Sequence, residues 1–240
     1  MPPLTPLLRP GRYFAERELN LFRVLVVVGL LVAAGPAAVY GVGWVLAANL
    51  DGTVTVDNPE RPPDWVCEED TGGSSVLDDE NCDAPREVER DVDAILWDAV
   101  DGLAAPAILA YPLVLVVLTL LLHAGAWLAD ADHGLVPTFA VAAWGMAPTL
   151  VLLPVSVLGL ALALDPVTVT SGSDPSTAIE PLLTQIRAVE PYGAVGATLS
   201  AVWGGVIWRS GLVREQGIRD TDATVVAGLV ALLVVVASLA

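Results

Sequence analysis

Five stretches of this 240-residue chain, 24–50, 103–129, 135–164, 192–208 and 223–240, contain no Asp, Glu, Lys or Arg. No other feature narrows the possible folds so far. In hydrocarbon every backbone N–H and C=O has to be paired within the protein, and an α-helix does this inside a single segment. About 20 residues at 1.5 Å each cross a bilayer core. The runs therefore predict an all-α integral membrane protein, a five-span transmembrane helix bundle. The shortest run, 192–208, sits at the lower limit for a span.

The segments between the runs are strongly acidic. The formal charge is −17, and 17 of the 28 acidic residues fall within 51–102. All 11 basic residues are Arg. Arg9, Arg12, Arg17 and Arg23 crowd into 1–23, and Arg209, Arg214 and Arg219 into 209–222. Arg61, Arg86, Arg90 and Arg187 are diluted over the longer loops 51–102 and 165–191. Arg-dense segments stay in the cytoplasm. This predicts a cytoplasmic N-terminal segment 1–23, an acidic extracytoplasmic loop 51–102, a cytoplasmic turn 130–134, an extracytoplasmic loop 165–191, a cytoplasmic Arg loop 209–222 and an extracytoplasmic C-terminus. Such a protein is a multi-pass resident of the cell membrane. The first run is longer than the apolar region of a signal peptide, and Pro36 follows its small residues awkwardly for cleavage, so it reads as retained.

A Lys-free, acidic surface is a solubility device of halophilic proteomes, and it excludes nucleic acid, which needs a positive footprint. Within the outer loop, Val88, Val92, Ile95, Leu96 and Ala99 recur at helical spacing, predicting an amphipathic surface helix over 87–101 with Trp97 at headgroup level. Ile179, Leu182, Leu183, Ile186 and Val189 mark a second surface helix. Gly35-Pro36 predicts a kink or a close helix contact in span 1.

Few residues offer chemistry. His123 is the one ionisable side chain well inside a run, and helical counting places Thr119, His123, Trp127 and Asp130 on about one face, which would meet the bundle. A packed, hydrogen-bonded histidine, a proton relay and a metal ligand are all open to it. With Asp130, Asp132 and His133 it could form a metal-dependent enzyme or permease site, although the spacing matches no metal motif. The clusters Glu68-Glu69-Asp70 and Asp78-Asp79-Glu80 lack the ordered spacing of a calcium loop. Gly193, Ala197, Ser200 and Gly204 form a small-residue helix-packing face, usable within the chain or between two copies. Cys67 and Cys82 both lie in the outer loop, where a disulfide is permitted; the alternative is two free thiols. A bridge would contribute about 3 kcal/mol and could staple the acidic loop into a sensor domain. There is no phosphate-cradling glycine loop, nucleophile elbow or zincin helix. These readings point to no enzyme and to no cofactor. They leave membrane lipids, other membrane proteins or a second copy as partners.

From Leu121 to Leu158, a His late in span 2 (His123) is followed by a turn with Gly134, then by a span carrying Trp144, Met146 and Pro148. This resembles the central part of the Yip (Ypt-interacting protein) domain family, as a prokaryotic, halophilic-archaeal-type member. The basic stretch 208–223 resembles the family's loop between spans 4 and 5. Asp130-Ala131-Asp132 departs from the more usual glycine-rich turn, and the outer loop is unusually long. The resemblance implies a non-enzymatic protein that organises membranes or recruits partners; eukaryotic relatives engage Rab-type GTPases.

Overall fold

A computed structural model describes residues 3–64, 67, 81–131, 134–169 and 180–239. Six helices carry most of the chain: α1 (Pro10–Glu16), α2 (Leu21–Ala47), α3 (Val92–Leu128), α4 (Leu135–Ala163), α5 (Glu180–Glu215) and α6 (Asp220–Leu239). Among the described residues, four helices are long and apolar enough to cross a membrane: α2, α3, α4 and α6. They contain the runs 24–50, 103–129, 135–164 and 223–240 or nearly so. The run 192–208 lies inside α5, a 36-residue helix that packs between α4 and α6.

Local chemistry sets the helix ends. Asn20 caps α2 by accepting a hydrogen bond from the Arg23 N–H at 3.2 Å. Pro10 begins α1, where a missing N–H costs nothing. α3 ends in a Schellman turn: the Asp130 N–H bonds the Trp127 carbonyl and the Ala131 N–H the Ala126 carbonyl, both at 3.1 Å. Asp130 takes the left-handed position, with φ 60°, that glycine usually fills. Gly217 does the same beyond α5, with φ 68°.

The expected surface helix over 87–101 is divided. Glu87–Asp91 is a strand, β2, pairing antiparallel with β1 (Leu50–Asp57), and the helix starts at Val92 and runs unbroken into the membrane span. Charged side chains alternating with Val88 suit a two-faced strand as well as a helix, and only the partner strand decides. A third strand, β3 (Val167–Val169), pairs parallel with β1, giving the order β2-β1-β3. Gly52, with φ 128°, sits where a Cβ would strike the Val169 carbonyl. The second expected surface helix is likewise not separate. Glu180–Glu215 is continuous through Glu190-Pro191, a charge break but not a backbone break.

The sheet follows α2, precedes α3 and follows α4, so it caps one end of the bundle. Val45, Leu50 and Leu164 form a small core beneath it, joined by Val92, Val157 and Ile186. The larger core occupies the opposite half, where Leu122, Val141, Ile207 and Leu212 are fully buried. Gly35 in α2 lies against the backbone of Ala107 in α3, so the expected close contact is present, with Pro36 held within the helix.

Segment 3–16 does not hang free at that opposite end. Tyr13 and Phe14 are buried, with Tyr13 edge-on to Trp144 at 5.4 Å. The Leu7 carbonyl accepts from Trp203 Nε1 at 2.7 Å, and Arg17 Nε donates to the Pro3 carbonyl at 2.7 Å. Trp203 is six residues, about 9 Å, along α5 from Arg209, so the segment re-enters beside the helix. Pro3, Pro6 and Pro10 lack N–H groups that would need partners there.

Candidate functional site

Near the end of the bundle that holds segment 3–16, three helices meet through neutral polar side chains. α3 brings His123, α4 brings Thr138 and the end of α5 brings Gln216. Thr138 and Gln216 are buried and His123 is half-buried. Gln216 Nε2 donates to Thr138 Oγ1 at 2.7 Å and to the Gly134 carbonyl at 3.3 Å. Thr138 Oγ1 stands 3.2 Å from His123 Nδ1. The hydroxyl has one proton and two lone pairs, so while accepting from the amide it can still either donate to Nδ1 or accept from it. Thr119, one turn above His123, is buried and donates to the Leu115 carbonyl at 2.7 Å.

The rest of the expected polar face turns away. Trp127 is 70% exposed, and Asp130 is exposed at the Schellman turn. The shift at Asp130 follows from helix geometry: seven residues fall short of two turns by only a fraction, but the αL residue at 130 leaves the helix path altogether. Asp132 and His133 lie outside the described residues, as do both acidic clusters of segment 51–102. The structure thus brings His123 to Thr138 and Gln216 rather than to Asp130. Sequence reasoning passed over those two partners because neutral polar residues at helix ends look solvated. One signal was available: Gly217 directly after Gln216 marks a helix end, which places Gln216 at the cap of α5 instead of in a free loop.

The small-residue face divides into two parts. Gly204 is buried against the backbone of Gly145 in α4, and the Trp208 ring lies over Gly145, its Nε1 donating to the Ala142 carbonyl at 3.4 Å. Ser200 Oγ and Thr149 Oγ1 are 3.0 Å apart. Gly193 is exposed, with no atom within 4 Å of a Cβ placed there. A cavity of about 470 Å³ opens along this part, walled by α3, α4, α5 and α6.

At the far end, Cys67 and Cys82 stand at disulfide distance, with Cα atoms 5.7 Å apart. At the other, Arg209 ties α5 to α6 through Asp220 at 2.6 Å and Thr224 at 2.9 Å. Burial raises the Tyr13 phenol above its ordinary value, partly offset by its hydrogen bond to Arg23.

No curated protein and no solved structure matches the chain. A family model does: the Yip1 domain matches residues 7–240, which includes the apolar helices, the polar tie of His123, Thr138 and Gln216, and α1. This membrane protein belongs to the Yip1 domain family.

Proposed function

We propose that the protein is a non-catalytic scaffold of the cell membrane, crossing it five times with its N-terminus inside and C-terminus outside. The observation that carries this reading is the setting of His123. The ionisable side chain inside a span spends its Nδ1 on Thr138, which in turn receives Gln216. Such a chain of bonds fastens three helices together, the role expected of polar residues in hydrocarbon. Support for α5 as a span comes from Val195, Leu199, Val202 and Val206, an exposed apolar stripe at helical spacing that suits lipid. Its low overall hydropathy has a physical reason, since α4, α6 and segment 3–16 cover its other faces. The acidic, sheet-capped end is then the halophilic outer surface, and the disulfide belongs to an oxidising compartment. Partners meet it as other membrane proteins, and family analogy adds a GTPase at the cytoplasmic face.

Topology mapping tests the frame. Single cysteines placed at Arg9, Ser74, Ala131, Ser173 and Glu215, after Cys67 and Cys82 are changed to Ser, are labelled from outside. Reaction at 74 and 173 alone is expected; reaction at 215 as well removes the fourth span. For the scaffold role, gentle extraction should give assemblies larger than one chain, unchanged in size and metal-free in His123→Ala. A clean monomer, or bound metal lost in that variant, overturns it in favour of the enzyme or permease reading.

A further inference from the structure

The cavity walled by α3, α4, α5 and α6 is a large departure from close packing among the described residues. α3, α4, α5 and α6 form a ring, each packed on the next. In one half the ring is shut by Gly145 against Gly204 with Trp208 across them, and Gly145 and Trp208 line the cavity there. In the other half it stays open because α5 presents Gly193, Gly196 and Ala197, which are too small to reach across. Close-packed interiors do not leave about 470 Å³ unfilled, and this volume falls within the roughly 300–1,000 Å³ of ligand sites.

The lining says what fills it. Leu118, Met146, Leu152, Leu153 and Val234 give it apolar walls. The hydroxyls of Thr149 and Ser200 bond each other, and Ser156 and Ser238 bond carbonyls of their own helices, at 3.1 and 2.8 Å. These four hydroxyls therefore already have partners, and an apolar occupant costs none of them anything. Val114 both lines the cavity and is exposed, so the wall runs without a break into the lipid-facing surface. The interface with the bilayer is continuous with the cavity.

We propose that the cavity holds one hydrocarbon chain of a membrane amphiphile, with its polar head at the rim formed by Ser156, Gly193 and Ser238. The proposal rests on α5 crossing the bilayer, which the labelling above reports independently. The test uses the full chain reconstituted in dioleoylphosphatidylglycerol vesicles, extracted in mild detergent and weighed by native mass spectrometry. One lipid per chain is expected for the unaltered protein. Retention should fall on the order of tenfold or more in Gly193→Leu and Ala197→Leu, which fill the space. Val225→Leu, on the outer face of α6, should change nothing. Gly193→Leu meets no neighbour at its Cβ, so it reports even if Ala197→Leu fails to fold. No bound lipid in the unaltered protein, or equal retention in the filled variants, overturns the proposal. So does rapid labelling of Ala197→Cys by a membrane-impermeant maleimide, with Cys67 and Cys82 changed to Ser, because that shows an aqueous vestibule.

Discussion

Thr138 has one hydroxyl and two neighbours that use it. Replacing it with Val keeps the shape but strips a partner from both His123 Nδ1 and the Gln216 amide. The expected cost is about 1–3 kcal/mol, read as a lower midpoint of unfolding in detergent. Thr138→Ser should recover most of it, because the bonding atom is kept. Tyr13 gives a pH signature at the same end. Its phenol is raised by burial, so above pH 10.0 the folded protein keeps a proton that the unfolded chain releases. Stability is therefore full below pH 10.0 and declines as pH rises through the folded value. In Tyr13→Phe that decline should shrink, and a thermal melt series across this range measures it.

Two glycines separate packing from propensity at the scale of helices. A Cβ at Gly35 would run into the Ala107 backbone, which cannot rotate aside, so Gly35→Ala should destabilise by about 1–3 kcal/mol. Gly228 faces open space on α6, and Gly228→Ala should be neutral or stabilising by about 0.5–1 kcal/mol. Comparing the two variants in one unfolding assay checks that α2 and α3 touch through their backbones. The apolar runs 24–50, 103–129, 135–164 and 223–240 were legible because burial in lipid demands length and lack of charge together. Gly35 was legible as a contact, for the same reason that small residues matter in any helix pair. The strands were not. Val54 and Val56 alternate over too few residues, and Val88 served either period until β1 and β2 were seen to pair. Nor was the tie of His123 legible: a count along α3 gives the face, while the partners come from α4 and α5, far away in sequence.

For the molecule as a whole, charge and solvent decide more than any contact. A chain of formal charge −17 repels itself, and salt relieves this. Raising salt from about 0.1 to 1 M shortens the screening length from about 10 to 3 Å. The unfolding temperature should rise over that range, and a flat response would mean that the acidic end contributes no net repulsion. The disulfide belongs to the same end. With both Cys67 and Cys82 changed to Ser, a protease that does not require Arg should cut the acidic segment 51–102 faster, as should reductant on the unaltered protein. Unaltered cleavage in both would show that the bridge holds nothing.

The bond between Trp203 and the Leu7 carbonyl joins residues 196 positions apart. During synthesis Leu7 leaves the ribosome long before Trp203 exists, so segment 3–16 lacks this anchor until α5 is made, even once Trp144 of α4 is there to meet Tyr13. Its prolines leave it few donors to misplace in the meantime. Assembly of this protein thus closes like a clasp, the early segment waiting at the membrane surface until a late helix arrives. Any factor that reads the segment in transit has a window set by the rate of translation.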